Sequence, residues 1–141
     1  MEKEFSSEKN NDQLRISLML AVNDAPAAVA WYQRALGATV LWSLGSVAGL
    51  ELAGAPFFVG EPESNGWESP TVLGTTSVRI EVFCNDPDAL VARALATGAK
   101  GSLDDVQDHD APWGVHRQGH FVDPFGHMWL VGDRSPLNRF G

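Results

Sequence analysis

The chain has one cysteine, Cys84, in 141 residues, and one cysteine cannot close a disulfide within the chain. A reducing compartment suits such a chain. With no histidine pairing visible, Cys84 reads as an apolar strand-end residue rather than a nucleophile. Positive charge is scarce as well. Ten Lys and Arg stand against 18 Asp and Glu, for a net charge of −8. Nucleic acid is therefore not expected as a partner, because its binding rests on Lys and Arg neutralising phosphates. An acidic field concentrates cations, so a cationic ligand is compatible, although the same charge also serves solubility alone. No apolar run approaches the roughly 20 residues of a membrane helix, and no membrane association is expected. The start, Met1 to Gln13, is polar and mixed in charge and lacks the apolar core of a secretory signal. A cytoplasmic location is expected, with residues 1–14 as a disordered polar tail.

What is present fits one globular domain. Hydrophobic residues make up 44% and charged residues 20%, and the length allows a sizeable core. Residues 15–22 alternate as a short strand, with Ile16, Leu18 and Leu20 on one side. Asp24 suits a helix N-cap and Pro26 a first turn, and apolar residues at helical spacing run to Leu36. Gly37 stands where a left-handed C-terminal glycine belongs. Strand-like runs follow at 39–43, 47–53 and 56–60, with Gly45 and Gly54 marking turns. Residues 61–75, dominated by Pro, Gly, Ser and Asn, read as a loop.

Then the pattern restarts. Residues 77–84 are strand-like, Asp86-Pro87 opens a helix that ends at Gly98, and runs follow at 101–106, 115–122 and 127–132. Asn23-Asp24 leads to Leu36-Gly37-Ala38 as Asn85-Asp86 leads to Gly98-Ala99, at an offset of 62 residues from Asn23 to Asn85. Turn chemistry recurring in order favours a duplication over two unrelated units. The chain culminates in His120-Phe121-Val122-Asp123-Pro124-Phe125-Gly126-His127-Met128-Trp129. Asp, Pro and Gly between two apolar runs predict a hairpin with a loop slightly longer than minimal.

This hairpin resembles the last hairpin of the vicinal-oxygen-chelate superfamily, which includes glyoxalase I, bleomycin-resistance proteins and extradiol dioxygenases. Val22-x-Asp24, Trp31-Tyr32 and Leu36-Gly37-Ala38 resemble its first-module pattern. Pro112-Trp113-Gly114 followed by Asp123 to Trp129 is similar to one of its subgroups. The resemblance covers residues 15–134 and implies an α+β fold of two tandem βαβββ modules, 15–63 and 76–134. Their curved sheets would form a cleft, with 135–141 as a C-terminal tail.

The resemblance also implies four metal-ligand positions, on the first and last strands of each module. In this chain they fall on Ser17, Arg79 and Leu130, and on Phe58 to Glu61 at the end of the fourth strand. A first-row metal needs at least three N or O donors at about 2.0–2.2 Å. Serine is a poor ligand, leucine is none, and arginine is a fixed cation. No metal and no other cofactor is expected. The histidines do not replace the set. His116 and His120 share a strand face but stand about 13 Å apart along it. His127 at the turn suits local hydrogen bonding, and His109 lies in a polar stretch. A displaced set of His120, Glu81 and Glu61 is the remaining option.

Five tryptophans remain to be placed. Trp31 and Trp129 fit the core, and Trp42 fits either core or surface. Trp67 and Trp113 fall in Gly- and Pro-rich loops, where aromatics serve as ligand platforms or as loop staples and dimer contacts. Arg79 and Glu81 share a strand face at i, i+2. The expected ligand-binding set is Trp67, Arg79, Glu81, Trp113 and Glu61, with no catalytic residue. The resemblance to bleomycin-resistance proteins implies a homodimer that sequesters a bulky, planar or cationic organic molecule such as an antibiotic. The alternative it implies is a metal-dependent lyase, isomerase or dioxygenase of the glyoxalase type. A structural Arg79–Glu81 pair, or an interaction module without a ligand, fits the same residues.

Overall fold

The computed structural model describes residues 14–140, so the expected tail lies outside the described residues save for Leu14. Two modules follow one another with the same element order. The first comprises β1 (Met19–Ala21), α1 (Ala25–Leu36), β2 (Thr39–Ser43), β3 (Val47–Leu52) and β4 (Ala55–Gly60). A short helix, α2 (Pro70–Leu73), lies in the connection. The second comprises β5 (Arg79–Phe83), α3 (Pro87–Ala96), β6 (Gln107–Ala111), β7 (Gly114–Val122) and β8 (Met128–Gly132), and α4 (Ser135–Phe140) closes the described chain. The sheets are separate, with strand orders β1-β4-β3-β2 and β5-β8-β7-β6. In each, the first strand runs parallel to the fourth and the other pairs are antiparallel. This is the tandem βαβββ, α+β architecture that the duplication implied. No described helix is long and apolar enough to cross a membrane.

Local chemistry sets the helix ends. Asp24 accepts from the Ala27 amide at 3.0 Å and Asp86 from the Ala89 amide at 3.1 Å, each with a proline in the first turn. Gly37 ends α1 at φ 75, a conformation that costs glycine little. Alanines let the helices approach closely: Ala28 and Ala35 of α1 and Ala94 of α3 are fully buried. The Trp31 indole donates to the Thr97 carbonyl at 2.7 Å beyond α3.

Both sheets turn one face to a single core. Leu50, Phe57 and Val59 come from the first sheet, and Phe121, Trp129 and Val131 from the second. Trp129 joins them. Its ring stacks on Phe121 at 6.0 Å and meets Phe57 edge-on at 6.0 Å and Tyr32 at 5.6 Å. Such contacts add to plain area burial.

The Asp123 turn locks the modules together. Asp123 is 3% exposed, and its carboxylate accepts four donors: the amides of Phe125 (2.8 Å) and His127 (3.0 Å), the Trp129 indole (2.9 Å) and the Tyr32 hydroxyl (2.5 Å). Burial, and then the negative charge of Asp123, push the Tyr32 hydroxyl well above its ordinary pKa. His127 Nε2 lies 2.8 Å from the Ala21 carbonyl. A carbonyl only accepts, so Nε2 carries the proton. This is a bond between modules, not the local one expected.

Four expected boundaries change. The strand expected over 15–22 shortens to Met19–Ala21, because Pro56 has no amide to continue the β1–β4 ladder. The Ser17 hydroxyl bonds the Pro56 carbonyl instead, at 2.6 Å. The run 101–106 is not a strand: Ser102 caps a 3-10 turn over Leu103–Asp105, and the strand is the polar Gln107–Ala111. The loop 61–75 contains α2, and the expected C-terminal tail contains α4.

Candidate functional site

Each sheet has an outer face turned away from the core. On the first, strand register lays four residues in one row: Trp42 pairs with Gly49, Gly49 with Phe58, and Phe58 with Met19. Gly49 makes the row continuous. A Cβ there would come within 2.9 Å of the Trp42 ring, so the indole lies across bare backbone and reaches Phe58, with ring centroids 5.8 Å apart. Gly60 repeats the device, since a Cβ there would meet the Met19 sulfur at 3.3 Å and the Trp67 ring at 3.4 Å. Trp42 is 42% exposed and Met19 47%, with Phe58 and Trp67 half-buried. The result is a contiguous apolar and aromatic surface on four strands, partly open to solvent.

The second outer face is mixed. Its rows read Arg79, Met128, Val122, Lys100; then Glu81, Leu130, His120; then Phe83, Gly132, Gln118, Gln107. At its far end His116 is buried, with Nδ1 2.8 Å from Asp133 and 3.2 Å from the Ser135 hydroxyl. Burial alone would raise the Asp133 carboxyl pKa. Hydrogen bonds from Ser135, the Arg117 amide and His116 outweigh it and hold the carboxyl far below the usual range. Arg117 grips both Asp88 oxygens, at 2.7 and 2.8 Å, and reaches Asp108 at 3.0 Å. Its hydrogen bonds lower the Asp88 pKa. These groups tie β7 to α3, β6 and the chain after β8. Burial pushes the Cys84 thiol up, which disfavours a nucleophilic thiolate.

The residues expected to form a site do not all meet. Arg79 and Glu81 are both exposed on the second outer face. Trp67 lies on the first. Glu61 accepts from the Ala25 amide at 2.8 Å and so supports the start of α1. Trp113 donates to the Ser135 hydroxyl at 2.9 Å and sets its ring edge-on to His116, 6.2 Å away. Three cavities contain one of the five residues each. Glu81 is in an apolar cavity of about 420 Å³ between β1 and β5, Arg79 in a polar groove, and Trp67 in a smaller cavity near His127. Trp42, Phe58 and Met19 were missing from the expected set. They come together through register between strands, opposite Gly49, which no spacing along a single segment signals.

The superfamily's metal positions do not fit a metal. Ser17 is bonded to Pro56, Arg79 is a cation, Leu130 has no donor, and Glu61 is engaged by α1. Among the described residues, no group of three or more His, Cys, Asp or Glu is arranged to hold a metal ion. The displaced set of His120, Glu81 and Glu61 is not assembled.

Comparison with known proteins agrees with this architecture. A model of the glyoxalase-like domain matches residues 17–131. An uncharacterised protein of Mycobacterium bovis is 34% identical over 135 residues, 86% of this chain and 84% of that one. A glyoxalase/bleomycin resistance protein from Albidiferax ferrireducens is similar in fold at 19% identity, covering 86% of this chain and 100% of that one, with a TM-score of 0.66. So is a fosfomycin resistance protein from Listeria monocytogenes, solved with Mn(II) and sulfate, at 18% identity, 92% and 98% coverage and a TM-score of 0.65. The repeated module, the Asp123 turn that joins its two copies, and the span of these matches lead to one assignment: the chain belongs to the glyoxalase-like family of the vicinal-oxygen-chelate superfamily.

Proposed function

We propose that this protein binds a bulky, planar organic molecule, cationic in whole or part, and sequesters it without catalysis. The observation that carries this reading is the row Trp42, Gly49, Phe58, Met19. Gly49 and Gly60 let the Trp42 and Trp67 indoles approach the sheet closely, and on such a surface a planar ligand can stack and a cation can meet the rings. The metal positions of the family hold residues that do not bind one. An antibiotic is one such molecule, and the negative field of the chain favours a cation.

We also infer a homodimer. Among the described residues, Leu14 and Ile16 are 86% and 87% exposed, and Leu44, Val78 and Leu137 are also open. The first strand of each sheet is an edge strand, and apolar edges call for cover. Light scattering is expected to give twice the chain mass, and a monomer at micromolar concentration contradicts it.

The ligand reading is tested by titrating the protein with acridine orange, a planar aromatic cation, while following tryptophan fluorescence. Saturable quenching that is weakened in Trp42→Ala supports it. The glyoxalase-type enzyme would instead show stoichiometric metal and turnover that depends on it.

A further inference from the structure

One groove is charged against the rest of the molecule. It has a volume of about 700 Å³ and lies where the 70–77 segment meets the Asp123 turn. Its lining includes Arg79, Lys100, Thr75, Thr76 and Ser77. Asp123 also lines it, but all its oxygens are taken by the four donors described above. Its lining thus sets two cations, Arg79 and Lys100, against the one buried carboxylate of Asp123, in a chain of net charge −8.

The register explains how the cations come to share it. Arg79 pairs with Met128, Met128 with Val122, and Val122 bridges Lys100 through two 2.9 Å backbone bonds. Residues directly opposite on neighbouring strands point to one face, so all four side chains emerge together. Three strand spacings put the Arg79 and Lys100 backbones about 14 Å apart. That leaves room for a small group over Met128 and Val122, with a long cationic side chain on each flank.

The third wall supplies uncharged donors. Among the described residues, the amides of Thr75, Thr76 and Ser77 have no hydrogen-bond acceptor, nor do the hydroxyls of Thr75 and Ser77 have a partner. Open amides beside cations suit an oxyanion. The wall is held in place. Gly126, at φ +90, leaves room for Pro70, whose Cβ would stand 2.8 Å from a Cβ at 126, and the buried Ser69 hydroxyl bonds Thr71 at 2.8 Å.

We propose that this groove binds the phosphate group of a small organic phosphate monoester. Arg79 and Lys100 neutralise its charge, and the Thr75–Ser77 segment donates to its oxygens. A phosphate monoester carries about −1.5 to −2 charges near pH 7 and three acceptor oxygens, which matches two cations and a donor wall better than a single carboxylate does. The site is separate from the Trp42 face and stands whether or not that face binds a ligand.

The test is titration of the full chain with phenyl phosphate, inorganic phosphate and phenol, read by amide NMR shifts at residues 75–77 and 100. Saturable shifts are expected with both phosphates and none with phenol. Arg79→Gln and Lys100→Gln should each weaken binding at least about fivefold, Lys100→Arg should keep it, and Trp42→Ala should leave it unchanged. Circular dichroism checks that the variants fold. Absence of saturable shifts overturns the proposal, as does an Arg79→Gln/Lys100→Gln double variant that binds like the parent. If acridine orange binds and phenyl phosphate does not, this inference falls and the Trp42 reading stays.

Discussion

The Tyr32 hydroxyl donates to the Asp123 carboxylate at 2.5 Å, joining a helix of the first module to a turn of the second across 91 residues of sequence. Both groups are buried, and the same carboxylate holds its own turn closed. Tyr32→Phe removes one of four donors from a buried charge, so a loss of about 1–3 kcal/mol is expected. Asp123→Ala leaves all four donors without their acceptor and should cost more. Urea denaturation measures both. A Tyr32→Phe protein as stable as the parent would show that the bond does not tie the modules.

Glu61 gives a prediction of the opposite kind. Its carboxylate accepts from the first amide of α1, a role comparable to capping. Glu61→Ala should lower stability by about 0.5–2 kcal/mol and leave the affinity for acridine orange unchanged. Unchanged stability with weakened affinity would return Glu61 to the ligand.

Asp133 sets part of the acid response. Its folded carboxyl lies far below the ordinary value, so its contribution is fully present above the unfolded pKa, near 3.9. That contribution is lost as pH falls from there toward the folded value. Asp133→Asn should destabilise the protein at neutral pH and flatten the acid limb of its stability curve below about pH 5. Melting temperatures across pH 2 to 7 check this. A variant with the parent's acid slope would contradict it.

Gly49→Ala tests the aromatic row without touching an aromatic residue. The added Cβ would stand 2.9 Å from the Trp42 indole, so the ring must swing off the sheet. Binding of acridine orange should fall about tenfold, or 1.4 kcal/mol, in both Gly49→Ala and Trp42→Ala. A Gly49→Ala protein that binds as the parent does would show that the stacked ring is not the platform.

The helices and the Asp123 turn were legible because their chemistry is local. Asp24 and Asp86 with prolines after them, Gly37, and Asp123-Pro124-Phe125-Gly126 each fix a backbone geometry from a few adjacent residues. β6 was not legible. Gln107 to Asp110 are exposed and polar, so neither face gives a period-two signal, and only pairing with β7 makes the segment a strand. Which side chains share a face was half legible for a related reason. Arg79 and Glu81 share a face because alternation along one strand places them there. Trp42, Phe58 and Met19 meet because of register between strands, including an irregularity between Val40 and Trp42, and no spacing within one segment encodes that. Trp113 stood in a Gly- and Pro-rich stretch that signals exposure, but its partner, Ser135, lies 22 residues away.

The aromatic face is proposed to bind a planar cation by itself, with no metal. Isothermal titration of acridine orange into the protein, with and without excess chelator, tests it most directly. One saturable isotherm that the chelator leaves unchanged is expected. Binding that vanishes with chelator and returns when Mn(II) or Zn(II) is restored would contradict it.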